Sequence, residues 1–144
     1  MPKMIFVNLP VKDLTASIRF YEAIGCEKNQ QFSNDQAAML VWSETTTFQL
    51  LTHDYFATFA SKPIANAQET TEVLICLSHD SRAEVDRITE AAAAAGGRAD
   101  IRERVDSAFL YNRAFEDPDG HVFEGVYMDV EAAAASMGSQ DAPA

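Results

Sequence analysis

Residues 5–25 read IFVNLPVKDLTASIRFYEAIG, and residues 73–97 read VLICLSHDSRAEVDRITEAAAAAGG. Each stretch is an apolar strand, a polar turn holding an aspartate, an amphipathic helix and a glycine stop. The same phrase used twice predicts two copies of one supersecondary unit. In the first copy residues 4–10 read as a strand ending at Pro10, and Leu14, Ile18, Tyr21 and Ile24 recur at helical spacing. Asp13 stands at the N-cap position and Gly25 where a left-handed residue ends a helix. In the second copy Ser81 and Glu84 read as a capping box, and Val85, Ile88, Ala92 and Ala95 form a narrow apolar face. The alanine run 91–95 favours helix until Gly96-Gly97 stops it.

Outward from each helix lie three strand patterns, at about 26–33, 37–43 and 46–52 in the first half and about 98–105, 108–115 and 121–128 in the second. Ser33-Asn34-Asp35, Glu44-Thr45 and Asp117-Pro118-Asp119-Gly120 supply the turns. The expected fold class is α+β: two βαβββ modules forming a cupped mixed sheet with helices on the outer face. Residues 1–60 are the first module with a short helix, 61–71 a linker, 72–130 the second module and 131–144 a disordered tail with at most one helical turn. A sheet covered by its helix on one face leaves the other face concave, so two such units are expected to cup a small molecule between their open faces.

The bulk composition narrows the partners. With 47% apolar residues in 144, a real core can be buried. A formal net charge of -11 argues against nucleic acid and anionic membrane surfaces. Arg98, Arg102 and Arg104 are the one local basic cluster, diluted by Asp100, Glu103 and Asp106. Cys26 and Cys76 form neither a disulfide framework nor a CxxC motif, so a reducing cytoplasm is the expected compartment. No apolar run approaches the ~20 residues of a membrane span, and the N-terminus reads as a strand rather than a signal peptide.

Two motifs, D-L-x-x-S-x-x-F-Y-x-x-x-G over residues 13–25 and D-P-D-G-x-x-x-E over residues 117–124, together resemble the vicinal oxygen chelate superfamily. That superfamily includes glyoxalase I, bleomycin-resistance proteins and extradiol dioxygenases. The resemblance covers roughly residues 4–129. It implies paired βαβββ modules, a homodimer and, often, a divalent metal held by His, Gln or Glu on four inward strand positions. Those positions fall here on Phe6, Gln49, Leu74 and Glu124. Phenylalanine and leucine offer no donor, so a standard four-ligand metal centre is not expected; no cofactor is expected, and a divalent metal is the disfavoured alternative. A two-residue slip would substitute Asn8 and Cys76, giving a polar cluster for orienting substrate rather than a metal set.

The resemblance makes Glu124 the candidate base and Gln49 the group that polarises an oxygen. Phe6, Asn8, Trp42, Leu74, Tyr111 and Arg113 are the expected ligand-binding residues, with Tyr111 and Arg113 on a cup wall and Trp42 as cup floor or dimer anchor. His53, His79 and His121 show no ligand spacing and read as caps or surface groups. Cys76, in an apolar strand with no basic neighbour in sequence, reads as a buried, inert thiol. The functional expectation is a glyoxalase-like small-molecule-binding protein, acting as a lyase or isomerase on a small carbonyl compound. The alternative is a non-catalytic binder of the bleomycin-resistance kind.

Overall fold

The structure is a computed structural model that describes residues 2–140, with side chains described through Met137. The first module runs β1 (Ile5–Val11), α1 (Leu14–Ala23), β2 (Glu27–Asn29), β3 (Ala37–Val41) and β4 (Thr46–Thr52), followed by the short α2 (His53–Ala57). The second runs β5 (Leu74–Ser78), α3 (Arg82–Ala94), β6 (Arg98–Ala99), β7 (Val105–Asp106), β8 (Leu110–Glu116) and β9 (Val122–Met128), and α4 (Val130–Gln140) ends it. The sheet orders are β1-β4-β3-β2 and β5-β9-β8-β6, with β7 also paired to β8. β1 lies parallel to β4 with Asn8 opposite Gln49, and β5 lies parallel to β9 with Cys76 opposite Glu124. The other pairings are antiparallel. The repeat in the sequence is therefore a repeat in space, and the α+β, βαβββ architecture is as read.

Local chemistry starts each helix. The Asp13 carboxylate accepts the Ala16 N–H at 3.0 Å, and Ser81 Oγ accepts the Glu84 N–H at 3.1 Å. The second half of the expected capping box does not form, because the Glu84 carboxylate takes the Arg87 guanidinium instead. Side chains alternate across each strand, so Val7, Leu9 and Val11, Phe48 and Leu50, and Ile75 and Leu77 turn toward the helices. α1, α3 and both helix-covered sheet faces then close into one shared core. The rings of Phe48 (β4) and Phe123 (β9) lie 5.5 Å apart, and Tyr21 of α1 reaches Phe123 at 5.8 Å. Within one chain, the faces that meet are the helix-covered ones. The concave faces look away from that core, and β1 and β5 stand at the edges of their sheets.

The two motifs that carry the resemblance bind each other across about a hundred residues of sequence. Tyr21 Oη donates to Asp117 Oδ2 at 2.7 Å, while Asp117 Oδ1 accepts the N–H groups of Asp119 and His121. Asp119 accepts the Lys12 N–H at 2.9 Å and the Ser17 hydroxyl at 3.4 Å. His121 Nε2 donates to the Pro10 carbonyl at 2.8 Å. Gly120 has φ +93°, and a Cβ there would lie 2.8 Å from the Ala67 carbonyl, so only glycine lets the linker approach. Gln68 then donates to the Pro118 carbonyl.

Four elements differ from expectation. The strand read at 26–33 stops at Asn29, whose side chain caps a single 3-10 turn at Gln30–Phe32. β1 continues through Pro10, which its edge position tolerates because no ladder donor is needed there. The single strand read at 98–105 is split into β6 and β7: residues 100–104 bulge out opposite only Arg113 and Ala114 of β8. The segment read as a tail is helical to Gln140, since Asp129 caps it, alanines favour it and Ala133 is buried. Residues 141–144 of that tail lie outside the described residues.

Candidate ligand site on the concave faces

The open face of the first sheet carries Phe6 and Asn8 of β1, Met39 of β3, and Gln49 and Leu51 of β4, following the strand alternation. α2 folds over one end. A hollow of about 430 Å³ is lined by Asn8, Met39, Gln49, Leu51, Tyr55 and Phe59. A neighbouring hollow of about 700 Å³ is lined by Phe6, Asn8, Leu51, Phe56 and Phe59. Both volumes lie in the range of small-molecule sites. Phe6, Asn8 and Gln49 are thus brought together on one face. Phe6 is 47% exposed, a large apolar group held in water at a sheet edge.

The open face of the second sheet carries Leu74 and Cys76 of β5, Asn112 and Ala114 of β8, and Glu124 and Val126 of β9. Leu74 is 59% exposed. The Glu124 side chain is only 17% exposed, so its carboxylate lies largely out of bulk water. It is held by the Arg102 guanidinium, which also donates to Asn112 Oδ1 and to the Glu103 carbonyl. Arg102 reaches this face from the bulge at 100–104, where Asp100 adopts φ +53°. Burial and the nearby Glu124 push the Cys76 thiol up, with Arg102 opposing. The thiol is exposed rather than buried as expected, because it stands on the open face of an edge strand, so it is accessible to reagents although its raised pKa keeps the thiolate scarce at neutral pH.

Three expected ligand residues lie elsewhere. Tyr111 and Arg113 point to the helix-covered face rather than a cup wall, because they share strand parity with Phe115 of the core. The Arg113 guanidinium, 4% exposed, binds Asp86, Glu90 and Asp100 at 2.7–3.0 Å. Tyr111 Oη donates to Asp86 at 2.6 Å. The Tyr111 hydroxyl, then Arg113, hold Asp86 below the usual carboxylate range, and Arg113 does the same for Asp100. Trp42 is neither cup floor nor exposed anchor: it packs on the shared core, edge to face with His79 at 5.9 Å. His79 is correspondingly half-buried rather than surface. Its Nε2 has no partner among the described residues, and burial lowers its pKa.

Gln49 and Glu124 belong to different sheets, so one chain does not join them in a single hollow. The four positions that the resemblance assigns to a metal do not fit one. Phe6 and Leu74 have no donor, and Glu124 already holds a guanidinium. Among the described residues no three His, Cys, Asp or Glu side chains converge to hold an ion. Arg102 escapes a sequence reading because the bulge has no periodicity, and Asn112 of β8 because only the folded bulge brings Arg102 onto its amide oxygen. The diluted arginine cluster is the sole trace of that bulge.

The sequence model of the Glyoxalase/Bleomycin resistance protein/Dioxygenase superfamily matches residues 3–124. No curated protein matches the chain. A hypothetical protein, SA1046, from S. aureus is similar at 28% identity, with a TM-score of 0.73 over 88% of this chain and 94% of that one. A glyoxalase/bleomycin resistance protein/dioxygenase family enzyme from Burkholderia phytofirmans PsJN is similar at 19% identity, TM-score 0.71, over 88% and 99%. The fosfomycin resistance protein FosX from Mesorhizobium loti shares the fold at 15% identity, TM-score 0.66, over 92% and 98%. Among the described residues no helix is long and apolar enough to cross a membrane.

Proposed function

The chain belongs to the Glyoxalase/Bleomycin resistance protein/Dioxygenase superfamily, and we propose that it binds and sequesters a small, largely apolar molecule on its concave faces without a four-ligand metal centre. The observation that carries this reading is the pairing of Glu124 with Arg102. A shielded carboxylate already held by a guanidinium is poorly placed to ligate an ion or to serve as a free general base. Apolar groups at the two remaining strand positions favour an apolar guest. This ranks the binder above a lyase or isomerase.

A homodimer completes the site. Met4, Ile5, Phe6, Val73 and Leu74 are exposed apolar side chains at and beside the edge strands β1 and β5. Unpaired strand edges with apolar side chains are unstable in water and are covered in a finished assembly. A second copy laid edge to edge would set the first-sheet face of one chain beside the second-sheet face of its partner, and so bring Gln49 into one cup with a Glu124. Sedimentation equilibrium and thermal melts test both parts. The expected result is a dimer whose melting temperature rises with Nile red or another apolar aromatic and is indifferent to Mn²⁺, Zn²⁺ and Ni²⁺. One tightly bound ion per chain, or a monomer at micromolar concentration, would refute it.

A further inference from the structure

We propose that Arg102 is the resident cation of the second sheet's open face, and that it selects an uncharged ligand by donating hydrogen bonds to that ligand's oxygen. The inference rests on the concave faces being a ligand surface, and it adds the residue that sets the ligand's charge class.

The geometry is built for it. Five residues, 100–104, stand opposite the two residues Arg113 and Ala114 of β8. Bulges of this kind re-aim side chains beside functional sites. Asp100 turns to the helix-covered face and grips Arg113, whereas Arg102 turns to the open face. There its guanidinium is fixed by Asn112 Oδ1, Glu124 Oε2 and the Glu103 carbonyl. A guanidinium has five N–H donors. Three are engaged, which leaves two without a protein acceptor among the described residues. The Arg102 side chain keeps 37% of its exposure, so those donors are reachable.

Charge then decides the class. Glu124 is neutralised by Arg102, and Glu116 on the same face is paired with Arg98 at 3.1 Å. The open face is therefore locally neutral on a chain of net charge -11. An anion would meet that negative field with no unpaired cation to offset it. A cation, divalent ions included, would have to displace Arg102 from a mostly buried carboxylate. A neutral oxygen accepts the spare N–H groups without disturbing either pair, while Leu74 and Val126 offer apolar contact for the rest of the molecule.

The test uses three probes with one aromatic body: benzamide, benzoate and benzylammonium. Binding to the full chain is followed by ¹H–¹⁵N resonances of the Arg102 Nε–H and of the amides of Cys76 and Glu124. Benzamide is expected to shift these signals and to bind more tightly than either ion. Arg102→Gln should weaken benzamide at least about tenfold, the usual effect of losing a hydrogen bond to a charged group. The double variant Arg102→Gln/Glu124→Gln, which leaves no unpaired charge to perturb folding, should weaken it as much. Stoichiometric Mn²⁺ should not selectively broaden Glu124 in the native protein. Benzamide affinity unchanged in both variants, ions bound as tightly as benzamide, or selective Mn²⁺ broadening at Glu124 would each overturn the inference. Probes that shift only Asn8 and Gln49 would overturn it while leaving the concave-face reading intact. No shift on either face would overturn both.

Discussion

Replacing Tyr21 by Phe tests the claim that the two family motifs act as a clasp between modules. The Tyr21 ring is wholly buried against Phe20, Phe48 and Phe123, and a phenylalanine ring fills the same space. The perturbation therefore isolates one hydroxyl. That hydroxyl donates at 2.7 Å to Asp117 Oδ2, on a carboxylate 2% exposed whose other oxygen is already engaged by two backbone N–H groups. A hydrogen bond to a charged group contributes about 1.5–3 kcal/mol, so the variant should lose about 2 kcal/mol. At about 2–4 °C per kcal/mol for a domain of this size, the melting temperature should fall by about 4–8 °C. The loss also has a pH signature. Burial raises the Asp117 pKa above its ordinary value, while the Tyr21 hydrogen bond pulls it down. Protonation therefore favours the folded state: the strain of the buried charge is fully present above the folded pKa and is relieved as pH falls through it. Without the Tyr21 donor that strain is larger, so the cost of Tyr21→Phe should be greatest near neutral pH and shrink in acid. Urea unfolding of both proteins at pH 7.5 and 4.5 measures it. A loss below about 0.5 kcal/mol, the range of surface substitutions, or a loss equal at both pH values would refute the clasp.

Arg113→Lys keeps the charge but not the fork that reaches three carboxylates, and should cost about 1–3 kcal/mol in urea unfolding with no change in any ligand affinity. The native protein should also lose stability as pH falls through the depressed pKa values of Asp86 and Asp100, since their contribution is present only while they are ionised. Gly120→Ala puts a Cβ into the Ala67 backbone at positive φ and should cost about 1–3 kcal/mol, with faster proteolysis of the connection between α2 and β5, residues 58–73, as the readout. Ellman's reagent should titrate one thiol per native chain, the exposed Cys76. Cys26 should stay silent until unfolding, being buried with its thiol pushed up to about 12.

The apolar periodicity of residues 5–25 and 73–97, with their caps and glycine stops, carries the two βαβββ modules and the helix-covered core, because helix and strand periods are local properties of a chain. The same local logic places Phe6, Asn8, Gln49, Leu74 and Glu124 on the open faces, since period-2 alternation assigns each to one side of its strand. It fails for Tyr111 and Arg113, where parity relative to the core depends on which side α3 packs. It fails for Trp42 and His79 too, which meet because the modules join back to back. Pairing by distance is not legible in a linear chain: nothing near Asp117 in sequence announces Tyr21, and nothing near Glu124 announces Arg102.

By itself, then, the sequence determines the repeated unit, its caps and the apolar residues that leave a metal without donors at two strand positions. Tertiary structure alone decides that the helix-covered faces meet, that the open faces point outward, and that a guanidinium from an edge bulge takes hold of Glu124. The reason is physical: periodicity and capping act over a few residues, whereas a buried charge is satisfied by whatever donor the folded chain brings within about 3 Å of it.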